Sequence, residues 1–335
     1  MSQFSALNYR LCTAPMMDWS DQHCRFLWRL LSPNALMFSE MITAKAILNG
    51  DRDKLLRYSV EEQPLILQLG GADPDELARA CLIAAERGFA GIDLNCGCPS
   101  DRVQGGNIGA ILMKDPNKVA ACYAAMSESC SLPITVKHRV GVDDQDEERD
   151  LNRFIEVVAD AGCTRFIVHA RKAWLHGLSP KENRSVPPLN YERVYALKTA
   201  YPKLAFIING GIETVDACRD HLKHTDGVMI GRKIYSDPYY LQELDHALFN
   251  CATPRLTRME VAKKFERYIA QTMEIRADVK LHHMTRHALG LWHGQTGGKR
   301  YRRYLSEHAC KPNANWRVFA KALDILTDTE NSSIR

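Results

Sequence analysis

The chain has 335 residues, 45% of them hydrophobic and 25% charged, with a net charge of +4. That balance belongs to a folded globular protein and excludes collagen-like, disordered and small disulfide-stapled classes. No apolar run approaches the ~20 residues that cross a bilayer; with no signal-peptide pattern at Met1–Pro15 and 11 cysteines at irregular spacing, a reducing, cytoplasmic setting without membrane attachment is expected.

Short β-rich apolar runs then alternate with longer segments of helical period. Arg10–Ala14 predicts the first strand, Leu36–Glu40 the second and Leu65–Leu69 the third. Leu65, Ile66 and Leu67 are apolar on both faces, as in a parallel strand buried on both sides. Asp73-Pro74-Asp75-Glu76 opens a helix that Gly88 closes. Gly91–Asn95 is the fourth strand, followed by Cys96-Gly97-Cys98-Pro99 and a loop, Ser100–Met113, containing Gly105, Gly106 and Gly109. Such a loop is either a mobile lid or a static glycine-rich turn.

Asp115 is the expected N-cap of the next helix, with Pro116 at its first position. Ile134–His138, Arg165–Ala170, Leu204–Asn209 and Gly227–Ile230 complete eight strands, separated by helices over Glu147–Ala161, Tyr191–Ala200 and Val215–Leu222. Eight alternations predict an α/β chain folded as a (β/α)8 TIM barrel over residues 1–250. A doubly wound sheet is disfavoured, because Ala14-Pro15-Met16-Met17 and not a Gly-x-Gly-x-x-Gly follows the first strand.

Beyond Phe249 the pattern is helical, over Met259–Ile275, Lys280–Leu291 and Trp316–Leu326, so residues 251–335 form a small all-helical C-terminal domain with a boundary near Thr253-Pro254 and a frayed tail after Asp328. This piece holds 16 Lys/Arg against 8 Asp/Glu, whereas residues 1–250 carry a balance of −4. A basic appendage on a near-neutral body suits a phosphate-bearing partner as well as a solvated surface.

Active sites of such barrels lie at the C-terminal strand ends. There the chain places Met16, Met17, Glu40, Gln68, Asn95, Cys98, Lys137, Arg139, His169 and Arg171. Asn209-Gly210-Gly211 follows the seventh strand and Gly231-Arg232 the eighth; glycine turns there let backbone N–H groups approach a phosphate, and Arg232 can balance its charge. A ring system attached to that phosphate would sit among Gln68, Lys137 and His169. Cys98 lies on an exposed turn, and a thiol can donate a proton at neutral pH. A single Cys-x-Cys without a second pair gives no reason to expect a structural metal.

Ala14-Pro15-Met16, Gln68, Leu94-Asn95-x-Gly97-Cys98-Pro99, Val136-Lys137-x-Arg139, His169-Ala170-Arg171, Asn209-Gly210-Gly211 and Gly231-Arg232 together resemble the tRNA-dihydrouridine synthases. Met16-Met17-Asp18-Trp19 and the stretch from Arg171 to Arg184 resemble subfamily A. The resemblance implies an FMN enzyme that uses NADPH to reduce the C5–C6 bond of uridine at tRNA positions 20 and 20a. By position it assigns Pro15, Met16, Met17, Gln68, Lys137 and His169 to the flavin, and Asn209, Gly210, Gly211, Gly231 and Arg232 to its phosphate. It makes Cys98 the proton donor to a flipped-out base and Asn95 a contact of that base. Lys181, Arg184, Arg300 and Arg303 are then the expected tRNA contacts, in a protein expected to be monomeric. Two other readings stay open: a barrel flavoprotein acting on a free pyrimidine or enone, and a non-catalytic tRNA-binding barrel.

Overall fold

The computed structural model of the chain describes residues 7–100, 107–250 and 254–333. They divide into two compact units, Met1–Asp18 with Ala35–Ile230, and Trp19–Asn34 with Gly231–Arg335.

The first unit is the expected barrel. Its strands are β1 (Leu11–Thr13), β2 (Met37–Thr43), β3 (Leu65–Gly70), β4 (Gly91–Cys96), β5 (Ile134–Arg139), β6 (Arg165–His169), β7 (Ala205–Asn209) and β8 (Gly227–Ile230). Every pairing is parallel, in the order β1-β8-β7-β6-β5-β4-β3-β2. Closure is made by a bridge between Cys12 and Leu36, with Thr13 N–H donating to Leu36 O at 3.0 Å and Leu36 N–H to Leu11 O at 2.9 Å. β1 is short because Ala14 donates the last ladder bond, to Ile230 O at 2.8 Å, and Pro15 has no N–H to continue it.

Caps set the helix starts. Asp73 accepts from Glu76 N–H at 2.9 Å and opens Pro74–Glu86; Asp115 accepts from Lys118 N–H at 3.1 Å and opens Pro116–Ser129. The helices over Arg149–Asp160, Tyr191–Ala200 and Val215–His221 lie close to the spans that the sequence predicts, and two short ones over Ala44–Asn49 and Arg52–Leu55 are additional to them.

Strand alternation sorts the side chains. Cys12, Phe38, Ile66, Ile167, Ile207 and Met229 form one buried cluster inside the barrel. The opposite parity faces the helices: His138 packs against Phe154 of helix Arg149–Asp160 and against Phe166, and the Phe166 and Phe206 rings lie 5.8 Å apart. Burial on both faces is why these strands read as unbroken apolar runs.

The second unit is helical. It comprises Gln22–Leu31, Arg232–Ser236, Tyr240–Phe249, Arg258–Ile275, Leu281–Thr285, Gly298–His308 and Trp316–Ser333. Gln22–Leu31 is remote in sequence but docks here. Phe26 stacks on Tyr268 at 3.9 Å, and Asp21, its N-cap, accepts from Arg286 at 2.8 Å and lies 3.0 Å from His287 Nε2. The single helix expected over Lys280–Leu291 is interrupted by a 3-10 turn at Arg286–Ala288. The backbone at Gly290 approaches Ser236 so closely that a Cβ there would sit 2.2 Å from its carbonyl oxygen, which bends the path. Helix Gly298–His308 is absent from the predicted elements, because Tyr301 and Leu305 give it only a narrow buried face among cations. The last helix runs to Ser333 where a frayed tail is expected. Residues 251–253, at the expected boundary, lie outside the described residues.

Candidate active site

The interior of the barrel turns polar toward the C-terminal strand ends. Gln68 of β3, Asp93 and Asn95 of β4, and Thr135 and Lys137 of β5 share the inward parity, two residues apart on each strand. Gln68, Asp93, Asn95 and Thr135 are buried, and buried polar groups persist only where they are hydrogen-bonded. Here they bond to one another. Asp93 Oδ1 accepts from Thr135 Oγ1 at 2.6 Å and Oδ2 accepts from Gln68 Nε2 at 2.7 Å. Gln68 Oε1 accepts from Asn95 Nδ2 at 2.9 Å. Asn95 Oδ1 in turn accepts the backbone N–H groups of Gly97 at 3.1 Å and Cys98 at 3.0 Å.

Cys98 is therefore held by its backbone: its N–H by Asn95 and its carbonyl by Ala110 N–H at 2.8 Å. The side chain is half-buried, whereas Cys96, on the opposite parity, is fully buried and its thiol is pushed well above the usual range by burial. The ten cysteines of the described residues are all free thiols.

Lys137 donates to Asn209 Oδ1 at 3.2 Å, and Asn209 Nδ2 donates to Met229 O at 2.7 Å. An ammonium has three donors; among the described residues Asn209 is the one acceptor of this one, so donor capacity is left for a bound group. Burial lowers the Lys137 pKa to about 8, against the opposing pull of Asp93. Burial raises Asp93 to about 6, while the Gln68 and Thr135 hydrogen bonds and the charge of Lys137 act the other way.

The turn after β7 is shaped for close approach. Gly210 and Gly211 have φ of +114° and +67°, a region favouring glycine. A Cβ on Gly210 would meet the His169 ring at 3.3 Å, and Tyr191 Oη donates to Gly210 O at 2.8 Å. His169 ends β6, half-buried against this turn. After β1, Met16 packs on the barrel core while Met17 is 57% exposed. Pro15 lies beside them, half-buried, and Glu40 accepts from the Asp18 N–H.

Arg139 ties two loops together. Its Nε donates to Gly97 O at 3.0 Å, beside Cys98, and its NH1 group donates to Lys172 O at 3.1 Å and Asn183 O at 2.8 Å. Asn183 is fully buried: Oδ1 accepts from Trp174 N–H at 2.8 Å, and Nδ2 donates to the carbonyls of Trp174 at 2.9 Å and Leu178 at 3.1 Å. Asn183→Ala strips those partners and is expected to cost about 1–3 kcal/mol and to open residues 172–186 to protease. Denaturant midpoints and cleavage mapping check both, and an unchanged pattern contradicts this role.

The loop thus braced presents Lys181 and Arg184 on its exposed side. In the second unit Gly231 and Arg232 follow directly on β8 in the chain, with Arg232 at the start of the five-residue helix Arg232–Ser236. Arg300 and Arg303 lie on helix Gly298–His308, and Arg303 pairs with Glu307 at 2.8 Å. Trp19 stacks on Tyr235 at 4.3 Å with its ring still 38% exposed.

The Ser100–Met113 loop, read as either a lid or a static turn, is covered in part: residues 101–106, with Gly105 and Gly106, lie outside the described residues, and Gly109–Lys114 is a 3-10 helix with Ala110, Leu112 and Met113 buried. Asp93, Thr135 and Asn183 are site residues that the sequence reading passed over. For Asp93 a signal exists, since a carboxylate interrupts the apolar run Gly91–Leu94 on the parity of Asn95. Among the described residues no helix is long and apolar enough to cross a membrane, and no three His, Cys, Asp or Glu are placed to hold a metal ion.

The profile of the dihydrouridine synthase (Dus) family matches residues 12–326. A tRNA-dihydrouridine(20/20a) synthase of Xanthomonas axonopodis pv. citri is 50% identical over 326 residues, which is 97% of this chain and 96% of that protein. Proteins of the same name from Vibrio cholerae and Salmonella typhi are each 48% identical, over 94% and 98% of this chain and 95% and 98% of their own lengths.

Proposed function

The chain belongs to the dihydrouridine synthase family, and from that premise we propose that it reduces the C5–C6 double bond of uridine at positions 20 and 20a of tRNA, with FMN bound in the barrel mouth and NADPH as reductant. The observation that carries this reading is Lys137, a cation drawn into the barrel interior with a single protein acceptor among the described residues. Such a charge is costly unless something accepts from it. An electron-rich flavin ring fits that need, and a glycine turn at positive φ, as at Gly210 and Gly211, suits backbone N–H contact with its phosphate end.

When bound, the flavin supplies the electron pair delivered to C6. Gln68, Lys137 and His169 bind the ring, with Pro15, Met16 and Met17 as its apolar border. Asn209, Gly210 and Gly211 hold the phosphate, a role that the resemblance extends to Gly231 and Arg232. Cys98 donates the proton to C5, and its thiol is then restored from solvent. Asn95 has both oxygen lone pairs engaged by Gly97 and Cys98 and one Nδ2 hydrogen by Gln68. Its second Nδ2 hydrogen is the one left to donate to a uracil carbonyl. A stacked base cannot reach such a rim, so the uridine is flipped out.

Mapping dihydrouridine in tRNA from cells lacking the gene tests substrate, reaction and position together. Loss at 20 and 20a is expected; dihydrouridine retained there overturns the proposal.

Lys181, Arg184, Arg300 and Arg303 are cations suited to the tRNA backbone. The double change Lys181→Ala with Arg184→Ala is expected to weaken tRNA binding ~10-fold and to reduce the salt slope by about 2. Titrations at several ionic strengths read this out, and a salt slope equal to wild type would remove both residues from the interface.

A further inference from the structure

The chain of hydrogen bonds under Cys98 has a direction. At its upper end the backbone N–H groups of Gly97 and Cys98 can only donate, so Asn95 must turn its oxygen to them and its NH2 to Gln68. At its lower end Asp93 is a carboxylate that accepts from Thr135 through one oxygen and from Gln68 through the other. Gln68 must therefore turn its NH2 downward and its oxygen upward, to the Asn95 NH2 at 2.9 Å. Both ends impose the same sense, and the middle contact is complementary as a result. Asp93 is fully buried on the inner side of β4; the charge of Lys137 on β5 favours its ionised form, but both of its oxygens are given to Thr135 and Gln68.

We propose that Asp93 is a positioning residue: its two acceptor oxygens fix the amide polarity of Gln68 and, through it, of Asn95, so that the turn carrying Cys98 is held in its working geometry. The polarity argument stands on this chain's hydrogen bonds alone; its consequence for uridine reduction rests on the function proposed above. An isosteric Asp93→Asn that keeps its oxygen for Thr135 presents NH2 to Gln68. The flipped amide is disfavoured, because Thr135 Oγ1 would have to give up its 2.6 Å bond for Ile92 O, which lies at 3.5 Å. Gln68 must then turn its oxygen down and its NH2 up, and Asn95 must offer its own NH2 to two backbone donors. The upper contacts are lost.

Restoring the sense requires only that the acceptor move up one position. In the double variant Asp93→Asn with Gln68→Glu, the amide now at position 93 donates to one oxygen of the carboxylate now at position 68, and Asn95 donates to the other. Gln68→Glu alone instead sets two carboxylates against each other, so at a pH where both are ionised each single change is harmful and the pair compensates.

The experiment measures alkylation of Cys98 by iodoacetamide, mapped by mass spectrometry, together with soluble yield, bound flavin and single-turnover reduction of tRNA. Asp93→Asn and Gln68→Glu are each expected to change the Cys98 alkylation rate by about tenfold or more, and the double variant to return within about threefold of wild type. If a single variant fails to fold, recovery of soluble protein by the second change reads the same compensation. A double variant no better than the worse single, or Asp93→Asn alkylated at the wild-type rate, overturns the proposal. A wild-type protein that reduces no tRNA uridine defeats the functional reading instead, while the alkylation series still decides the positioning role.

Discussion

Cys98→Ala is expected to leave fold and bound flavin intact while lowering turnover on tRNA by about 10²–10⁴-fold, the range lost when a positioned general acid is removed. The fold should survive because the turn is held through backbone atoms, by Asn95 Oδ1 and Ala110 N–H, which alanine does not disturb. Activity should not, because the neighbouring thiol cannot substitute. Cys96 is wholly buried on the outward parity of β4, and burial holds its proton far more tightly than usual. Single-turnover reduction of tRNA by pre-reduced protein checks this, and a rate near wild type would remove Cys98 from the chemistry. Cys98→Ser should fall between the two, since a hydroxyl is a weaker acid that still donates.

Lys137→Met should weaken flavin retention by about 10- to 100-fold, the fold-change equivalent to ~1.5–3 kcal/mol for a hydrogen bond from a charged group. Methionine keeps the length and the apolar stem and removes the charge. The pH dependence gives a second handle. Lys137 titrates at about 8 in the folded chain against an ordinary 10.5. Between those values the native protein binds fewer protons than the unfolded chain, so this group makes stability rise with pH across the window. Flavin binding draws on the charged form and falls as pH passes upward through about 8. Stability and cofactor affinity should thus move in opposite directions as pH rises through and above that value, read by denaturant midpoints and flavin fluorescence, and Lys137→Met should remove this lysine's share of both. Wild-type flavin affinity that stays flat across that range would contradict the assigned role.

Both predictions use residues that are legible in the chain alone, Cys98 through its Gly-Cys-Pro turn and Lys137 as a cation ending an apolar strand. The eight strands are legible for a similar reason: burial on both faces demands apolar residues at every position, and that run is a local property. Caps such as Asp73 and Asp115 act within three residues and read equally well. Helix Gly298–His308 does not, because its buried face rests on Tyr301 and Leu305 within a run of cations. Segment Trp19–Asn34 reads as part of the barrel by position in the chain, yet packs with helices more than two hundred residues later, as the bond between His23 and Tyr268 shows.

What the amino-acid sequence determined alone is the alternation of elements, the rim residues and the family resemblance, all carried by neighbours within a few positions. What only the tertiary structure decided is who partners whom. Arg139 reaches Gly97 across 42 positions and Asn183 across 44, and Asp93 meets Thr135 across 42 and Gln68 across 25. A buried polar group takes its meaning from the atom opposite it. In a parallel barrel that atom lies on the next strand, a whole helix away along the chain.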